Sequence, residues 1–98
     1  MSDLHVVALI TAKPGSEDVV KAALEVLAAA TREEPGCVSY FLHASAADPS
    51  TFITVESWKS KEDLDGHLVT EHMKAAVGAL GGSLAGAPQI HPLIPVSS

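Results

Sequence analysis

The sequence predicts an α+β domain whose six elements run β-α-β-β-α-β. Short runs of β-branched and apolar residues alternate with two stretches of helical spacing, and each junction carries a Pro, Gly, Asp or Ser turn signal. No linker or low-complexity tract divides the 98 residues, so a single domain spanning 1–98 is expected.

Residues 4–12 hold Val6, Val7, Leu9 and Ile10 without Gly or Pro and stop at Lys13-Pro14-Gly15, which reads as a strand ending in a turn. Apolar side chains stand on both of its faces, as in a sheet covered on both sides. Ser16 is the expected N-cap of the helix that follows, and Glu17 and Asp18 suit the positive end of its dipole. Val19, Val20, Ala23, Leu24, Leu27 and Ala28 recur at helical spacing to about Arg32, and Pro35-Gly36 stops the helix. Residues 37–46 and 51–59 are strands joined by the Asp48-Pro49-Ser50 turn, an antiparallel hairpin. Ser60-Lys61-Glu62-Asp63 is a capping box with Asp in place of Glu, and it opens a second helix reaching about Leu80. Residues 88–96 form the fourth strand, which Pro88, Pro92 and Pro95 place at an edge. This order is the ferredoxin-like, split βαβ arrangement, whose helices cover one sheet face only.

At 47% hydrophobic residues and a mean hydropathy of +0.26, the chain is more apolar than an isolated domain of its size needs. A second subunit packed sheet against sheet accounts for the excess, so a homodimer is expected. Twelve acids against six bases leave a net charge of −6, which argues against nucleic acid and anionic membrane as partners. The one cysteine, Cys37, cannot form an internal disulfide or a Cys-based zinc site. No basic segment precedes the short apolar run at residues 6–10, and a cytoplasmic location is expected. Residues 75–98 carry no charged side chain, but their glycines and prolines exclude a membrane helix. In the expected dimer this tail is buried, crossing to the partner.

The histidines His5, His43, His67, His72 and His91 are the most informative polar residues. On an unbroken second helix His67 and His72 stand roughly 140° apart, so metal chelation from that helix is disfavoured. The same wheel turns His72 inward, as a pocket or hydrogen-bonded core residue, and leaves His67 on the polar side within reach of Glu71. On the third strand Thr54, Glu56 and Trp58 share a face. An acid beside a Trp on a covered face needs a partner, and His43 on the neighbouring strand is the candidate. A Glu/His pair beside an aromatic wall can take a proton from a bound phenol; a solvent-exposed Glu56 is the alternative. The Gly81–Gly86 loop lacks a P-loop lysine and the middle glycine of a dinucleotide fingerprint, so it reads as a helix stop. No nucleophile elbow or HExxH is present, and Cys37 reads as a packed thiol.

Lys13-Pro14-Gly15, Glu34-Pro35-Gly36-Cys37, and Glu56-x-Trp58 followed by His67-Leu68-x-Thr70-x-His72 together resemble the antibiotic biosynthesis monooxygenase family. Its quinol monooxygenase-like members are the most similar, and the resemblance covers nearly the whole chain. It implies a dimeric α+β barrel of two ferredoxin-like protomers. It also implies oxidation of a small aromatic or quinol by O₂ with no cofactor and no metal: the protein binds the aromatic, deprotonates it and excludes water. By that likeness His72 is the first candidate base and Trp58 the aromatic wall. Glu56, His43 and His67 are secondary catalytic candidates, and Ala8, Tyr40 and Phe41 line the pocket. Haem-degrading relatives carry an Asn in the first strand and a haem-ligating His late in the second helix, where this chain has Ala8 and a residue near Val77, so haem degradation does not fit. The lack of a basic cluster speaks against relatives that isomerise a phosphorylated sugar-like signal. A non-catalytic ligand-binding or structural dimer is the alternative from another class. Relatives often carry Pro where this chain has Glu71; Thr70 would then cap a new helical segment, and a break there rotates His72 relative to Leu64.

Overall fold

The computed structural model describes residues 3–97; Met1, Ser2 and Ser98, which complete the 1–98 domain and its tail, lie outside the described residues. Strands β1 (Leu4–Thr11), β2 (Cys37–Ala44), β3 (Thr51–Trp58) and β4 (Gln89–Pro92) form one sheet in the order β2-β3-β1-β4, with every neighbouring pair antiparallel. Helix α1 (Glu17–Arg32) connects β1 to β2. Helices α2 (Lys61–His67) and α3 (Glu71–Leu80) connect β3 to β4. This is the α+β ferredoxin-like arrangement that the sequence predicts.

Period-two alternation decides what the sheet buries. Val6, Ala8 and Ile10 of β1, Tyr40 of β2, and Phe52, Thr54, Glu56 and Trp58 of β3 face the helices and are buried. They pack against Val20, Leu24, Leu27 and Ala28 of α1, Leu64 of α2, and Ala76 and Leu80 of α3. Among the described residues no helix covers the opposite face. Phe41 and Val55, paired across β2 and β3, stand on it 56% and 43% exposed. The result is a two-layer slab only 18 Å thick at its Cα atoms.

The second helical stretch is two helices rather than one. Thr70 Oγ1 donates to the His67 carbonyl (2.8 Å), satisfying the end of α2, and accepts from the Met73 N–H (3.2 Å) at the start of α3. Ser60 caps α2 as expected: its Oγ accepts from the Asp63 N–H at 3.2 Å and donates to Asp63 Oδ2 at 2.9 Å. Ser16 does not use its side chain as a cap; instead Glu17 Oε1 accepts from the Gly15 N–H at 2.9 Å. β4 is shorter than the 88–96 segment expected: Pro92 is its last paired residue, the Leu93 N–H makes one more bond to the His5 carbonyl at 2.8 Å, and Pro95 then has no N–H to offer a ladder. Beyond it Ile94 and Val96 are 86% and 100% exposed in the single chain.

The Pro35-Gly36 turn fixes how α2 meets the α1–β2 loop. A Cβ on Gly36 would overlap the Asp63 side chain, so only glycine allows the turn to lie against the first turn of α2. The Lys59 N–H donates to the Gly36 carbonyl at 3.0 Å and ties the same turn to the end of β3. Glu34, two residues before, is thereby held beside the C-terminal end of α2.

Candidate functional site

A cavity of about 310 Å³ lies between the helix-facing side of the sheet and the helices. Ala8 and Ile10, Leu24 and Leu27, and Met73, Ala76 and Leu80 supply most of its apolar wall. Its polar side chains are Tyr40, Glu56 and His67. An apolar cavity with a few converging polar groups, at the lower end of small-molecule sites in size, suits one small ring system.

Glu56 is 5% exposed and pairs across the sheet with both Val6 and Tyr40. Its Oε1 accepts from Trp58 Nε1 at 2.9 Å and its Oε2 from the Thr54 hydroxyl at 2.6 Å. All three sit at alternate positions of β3, so the strand's own period brings them together. Burial, reinforced by the Glu56 charge, pushes the Tyr40 phenol well above its ordinary pKa and keeps it a hydrogen-bond donor. Trp58 is fully buried and its indole lies against the His67 ring, centroids 4.7 Å apart and 39° tilted.

His67 is itself only 3% exposed. Its Nδ1 is 2.7 Å from Glu34 Oε2, and the same oxygen lies 2.7 Å from Nε2 of His72. In the neutral ring the carboxylate holds the Nδ1 proton of His67, which makes Nε2 the lone-pair nitrogen. No buried side-chain nitrogen or oxygen among the described residues lacks a partner. Nε2 of His67 makes no hydrogen bond to the described residues, so it is open to solvent or to the cavity that His67 lines. This is an oriented imidazole with its second nitrogen fixed by an acid, the geometry of a general base.

Of the candidates named from the sequence, Ala8, Tyr40, Glu56 and His67 line the cavity. His43 and Phe41 do not: both lie at odd positions of β2 and are exposed on the helix-free sheet face, so His43 is not the partner of Glu56. Trp58 is not cavity wall but the layer beneath His67. The single-helix wheel inverted the two histidines of α2 and α3. His67 points inward, and His72, with 26% of its side chain exposed, meets Glu34 at the rim. The break at Thr70 changes their relative direction, so the two histidines, separated on an unbroken helix, converge here with Glu34: the three residues offer donor atoms all within 4.8 Å of one another. Glu34 was not singled out from the sequence, where it read as part of a turn. One signal was available: Glu33 and Glu34 end a helix whose C-terminus disfavours acids, which calls for another reason for their presence.

Cys37 is half-buried, and desolvation with the nearby Glu34 and Glu56 charges raises its thiol pKa, consistent with a packed, unreactive sulfur. The Gly81–Ser83 segment is a short 3₁₀ turn after α3, a helix stop as expected.

The sequence profile of the antibiotic biosynthesis monooxygenase family matches residues 3–79, which include Glu34, Glu56, Trp58, His67 and His72. The chain belongs to the antibiotic biosynthesis monooxygenase family. Among solved structures, PA3566 from Pseudomonas aeruginosa superposes with a TM-score of 0.90 at 30% identity, over 99% of this chain and 97% of that one. A crystal structure described as an antibiotic biosynthesis monooxygenase gives a TM-score of 0.88 at 30% identity, over 96% and 99% of the two chains. Rv0793 from Mycobacterium tuberculosis is 33% identical over 82 residues, 81% of this chain and 80% of that protein. The uncharacterized protein sll1783 of Synechocystis is 29% identical over 63 residues, and the match spans only 43% of its length. Among the described residues no helix is long and apolar enough to cross a membrane.

Proposed function

We propose that this family member is a monooxygenase that oxidises a small phenol or quinol with O₂, and that it does so with no group beyond substrate, oxygen and a base. The observation that carries the reading is the His67 imidazole, held at Nδ1 by Glu34 and lining an apolar cavity. His67 Nε2 takes the phenolic proton, and the electron-rich anion reduces O₂ at a ring carbon that bears hydrogen. One oxygen atom stays on that carbon, the other leaves as water, and the phenol becomes a quinone; protons and electrons balance without a further reductant. Glu56, its two oxygens already oriented by Thr54 and Trp58, accepts from a second hydroxyl of the substrate. Tyr40, kept protonated by its burial, donates to the substrate anion. The apolar wall excludes the water that would otherwise compete for the anion.

The proposal includes a homodimer closed through the helix-free sheet face. A 10.1 kDa monomer is expected to expose about 5,300 Å². This chain exposes 6070 Å², an excess close to the ~800 Å² that each partner buries in a standard interface. Phe41 and Val55 lie on the face concerned.

Oxygen uptake with a panel of phenols and hydroquinones tests the reading, comparing wild type with His67→Gln and Glu34→Ala. Turnover that falls by two or more orders of magnitude in His67→Gln is the expected result. Consumption no faster than autoxidation in the wild type refutes it, and ligand uptake without oxygen consumption would instead mark a binding protein.

A further inference from the structure

The base, His67, and its neighbours Glu34 and His72 also form a donor set of a different kind. Glu34 comes from the α1–β2 loop, His67 from the end of α2 and His72 from the first turn of α3. One carboxylate oxygen and two imidazole nitrogens from three segments converge with all donor atoms within 4.8 Å. Two further features suit an ion better than a hydrogen-bonded trio alone. Both imidazoles crowd onto a single oxygen, Oε2, at 2.7 Å each, while Oε1 makes no hydrogen bond to the described residues. No Lys or Arg pairs with Glu34, whose side chain is only 14% exposed; the two imidazoles are its sole ion-pair partners among the described residues.

We propose that Glu34, His67 and His72 bind a first-row divalent cation such as Zn²⁺, and that its binding switches Nε2 of His67 from acceptor to donor. Two nitrogens and a carboxylate oxygen are a borderline donor set, matched to zinc and its neighbours rather than to calcium or magnesium. Metal–ligand bonds of about 2.0–2.2 Å place neighbouring donors roughly 3.0–3.5 Å apart. The 2.7 Å contacts therefore have to open by less than about 1 Å, and the widest donor pair, at most 4.8 Å apart, has to close toward the same spacing by movement of the Glu34 carboxyl and the half-buried His72 ring. His72, 26% exposed, provides the entry side, and water completes the coordination.

The consequence follows from proton bookkeeping on one ring. With Glu34 accepting at Nδ1, the neutral imidazole carries its proton there and Nε2 bears the lone pair. A cation at Nδ1 uses that lone pair for coordination, so the single proton of the neutral ring moves to Nε2. Nε2 then donates and cannot take a proton from a substrate. The cation site stands on the geometry by itself; only the effect on catalysis rests on the function proposed above. The metal-free protein is the active form, and the loaded one holds the cavity in an inhibited state.

Zinc binding is measured first without any substrate, so its failure is separate from failure of the enzymatic reading. Purified chain stripped with chelator is titrated with ZnCl₂ and, as a spectroscopic probe, CoCl₂. Expected are about one ion per chain, visible Co²⁺ bands, and affinity lost by more than about 100-fold in His72→Ala and Glu34→Gln, since losing a ligand exceeds the cost of losing an outer-shell partner. His43→Ala and His91→Ala, remote on the open sheet face, retain binding. Nitrogen-15 NMR of the imidazoles should show the His67 proton at Nδ1 in the stripped protein and at Nε2 with zinc. Absence of binding at about a hundred micromolar zinc overturns the proposal, as does binding that survives His72→Ala and Glu34→Gln or is abolished by His43→Ala. A His67 proton that stays at Nδ1 on zinc loading overturns the switch. Circular dichroism shows whether each variant is folded, and the half-exposed His72 is the substitution least able to disturb the core.

Discussion

Gly36→Ala should damage this protein out of proportion to one added methyl group. A Cβ at position 36 would lie 2.5 Å from Asp63 Cβ and Oδ1 and nearer still to Cγ. Ordinary contact is at least 3.4 Å, so about 1 Å of separation has to be found. Asp63 Cβ is fixed to the α2 backbone, and turning the side chain alone cannot supply it. Either α2 shifts or the Pro35-Gly36 turn does, and each movement breaks something nameable. Shifting α2 disturbs the Ser60–Asp63 cap, worth about 0.5–2 kcal/mol. Overpacking adds about 1–3 kcal/mol. A net loss of about 2–3 kcal/mol lowers the melting temperature by roughly 10–20 °C in a domain this small. Thermal and urea unfolding at one protein concentration measure it, with Gly78→Ala as the control. A Cβ there meets nothing within 4 Å on an exposed helix, and that variant should gain about 0.5–1 kcal/mol. If Gly36→Ala unfolds within 0.5 kcal/mol of wild type, the turn is not braced against α2 and the account of how Glu34 reaches His67 is wrong.

Glu56→Ala leaves the Trp58 N–H buried without an acceptor and should cost about 1–3 kcal/mol in urea unfolding, whereas Glu56→Gln, which keeps an acceptor oxygen there, should stay near wild type; equal losses in both would show that the indole bond is not what holds the acid in place. Tyr40 is the only tyrosine, so tyrosinate absorbance reports it alone. With its folded pKa raised, stability is fully present below the unfolded value of about 10 and declines as pH rises above that, toward the folded pKa. Ionisation should therefore coincide with alkaline unfolding, and half-titration near pH 10 in a still-folded protein would contradict the burial argument. Phe41→Asp puts a charge on the apolar sheet face and should yield monomers by light scattering at micromolar concentration while leaving the far-ultraviolet spectrum unchanged; an undisturbed dimer would place the interface elsewhere.

Most of the fold was legible in local chemistry. The Pro-Gly and Asp-Pro turns, the helical spacing of Val20, Leu24 and Leu27, and the alternation in β3 place β1, α1, β2 and β3 to within about two residues. The site was legible only in part. Glu56, His67, Ala8 and Tyr40 were named, but His72 and His67 were exchanged, and Phe41 and His43 were put on the wrong face. The cause of the exchange is one hydroxyl. Thr70 satisfies the end of α2 and the start of α3 together, and a wheel drawn through it carries the wrong angle onward. The second error is one of strand parity: Tyr40 and Phe41 are consecutive, so only one of them can face the helices.

By itself, then, the sequence determined what is local: element type, order and the apolar periodicity of each face. These depend on neighbours within a few residues, where propensity, capping and turn chemistry act. Only the tertiary structure decided the pairing of Glu34 with two histidines more than thirty residues away. That pairing depends on the Gly36 turn meeting Asp63 across the fold and on the angle between two short helices. No periodicity records such a contact, because its energy belongs to the packed arrangement of all three segments and to none of them alone.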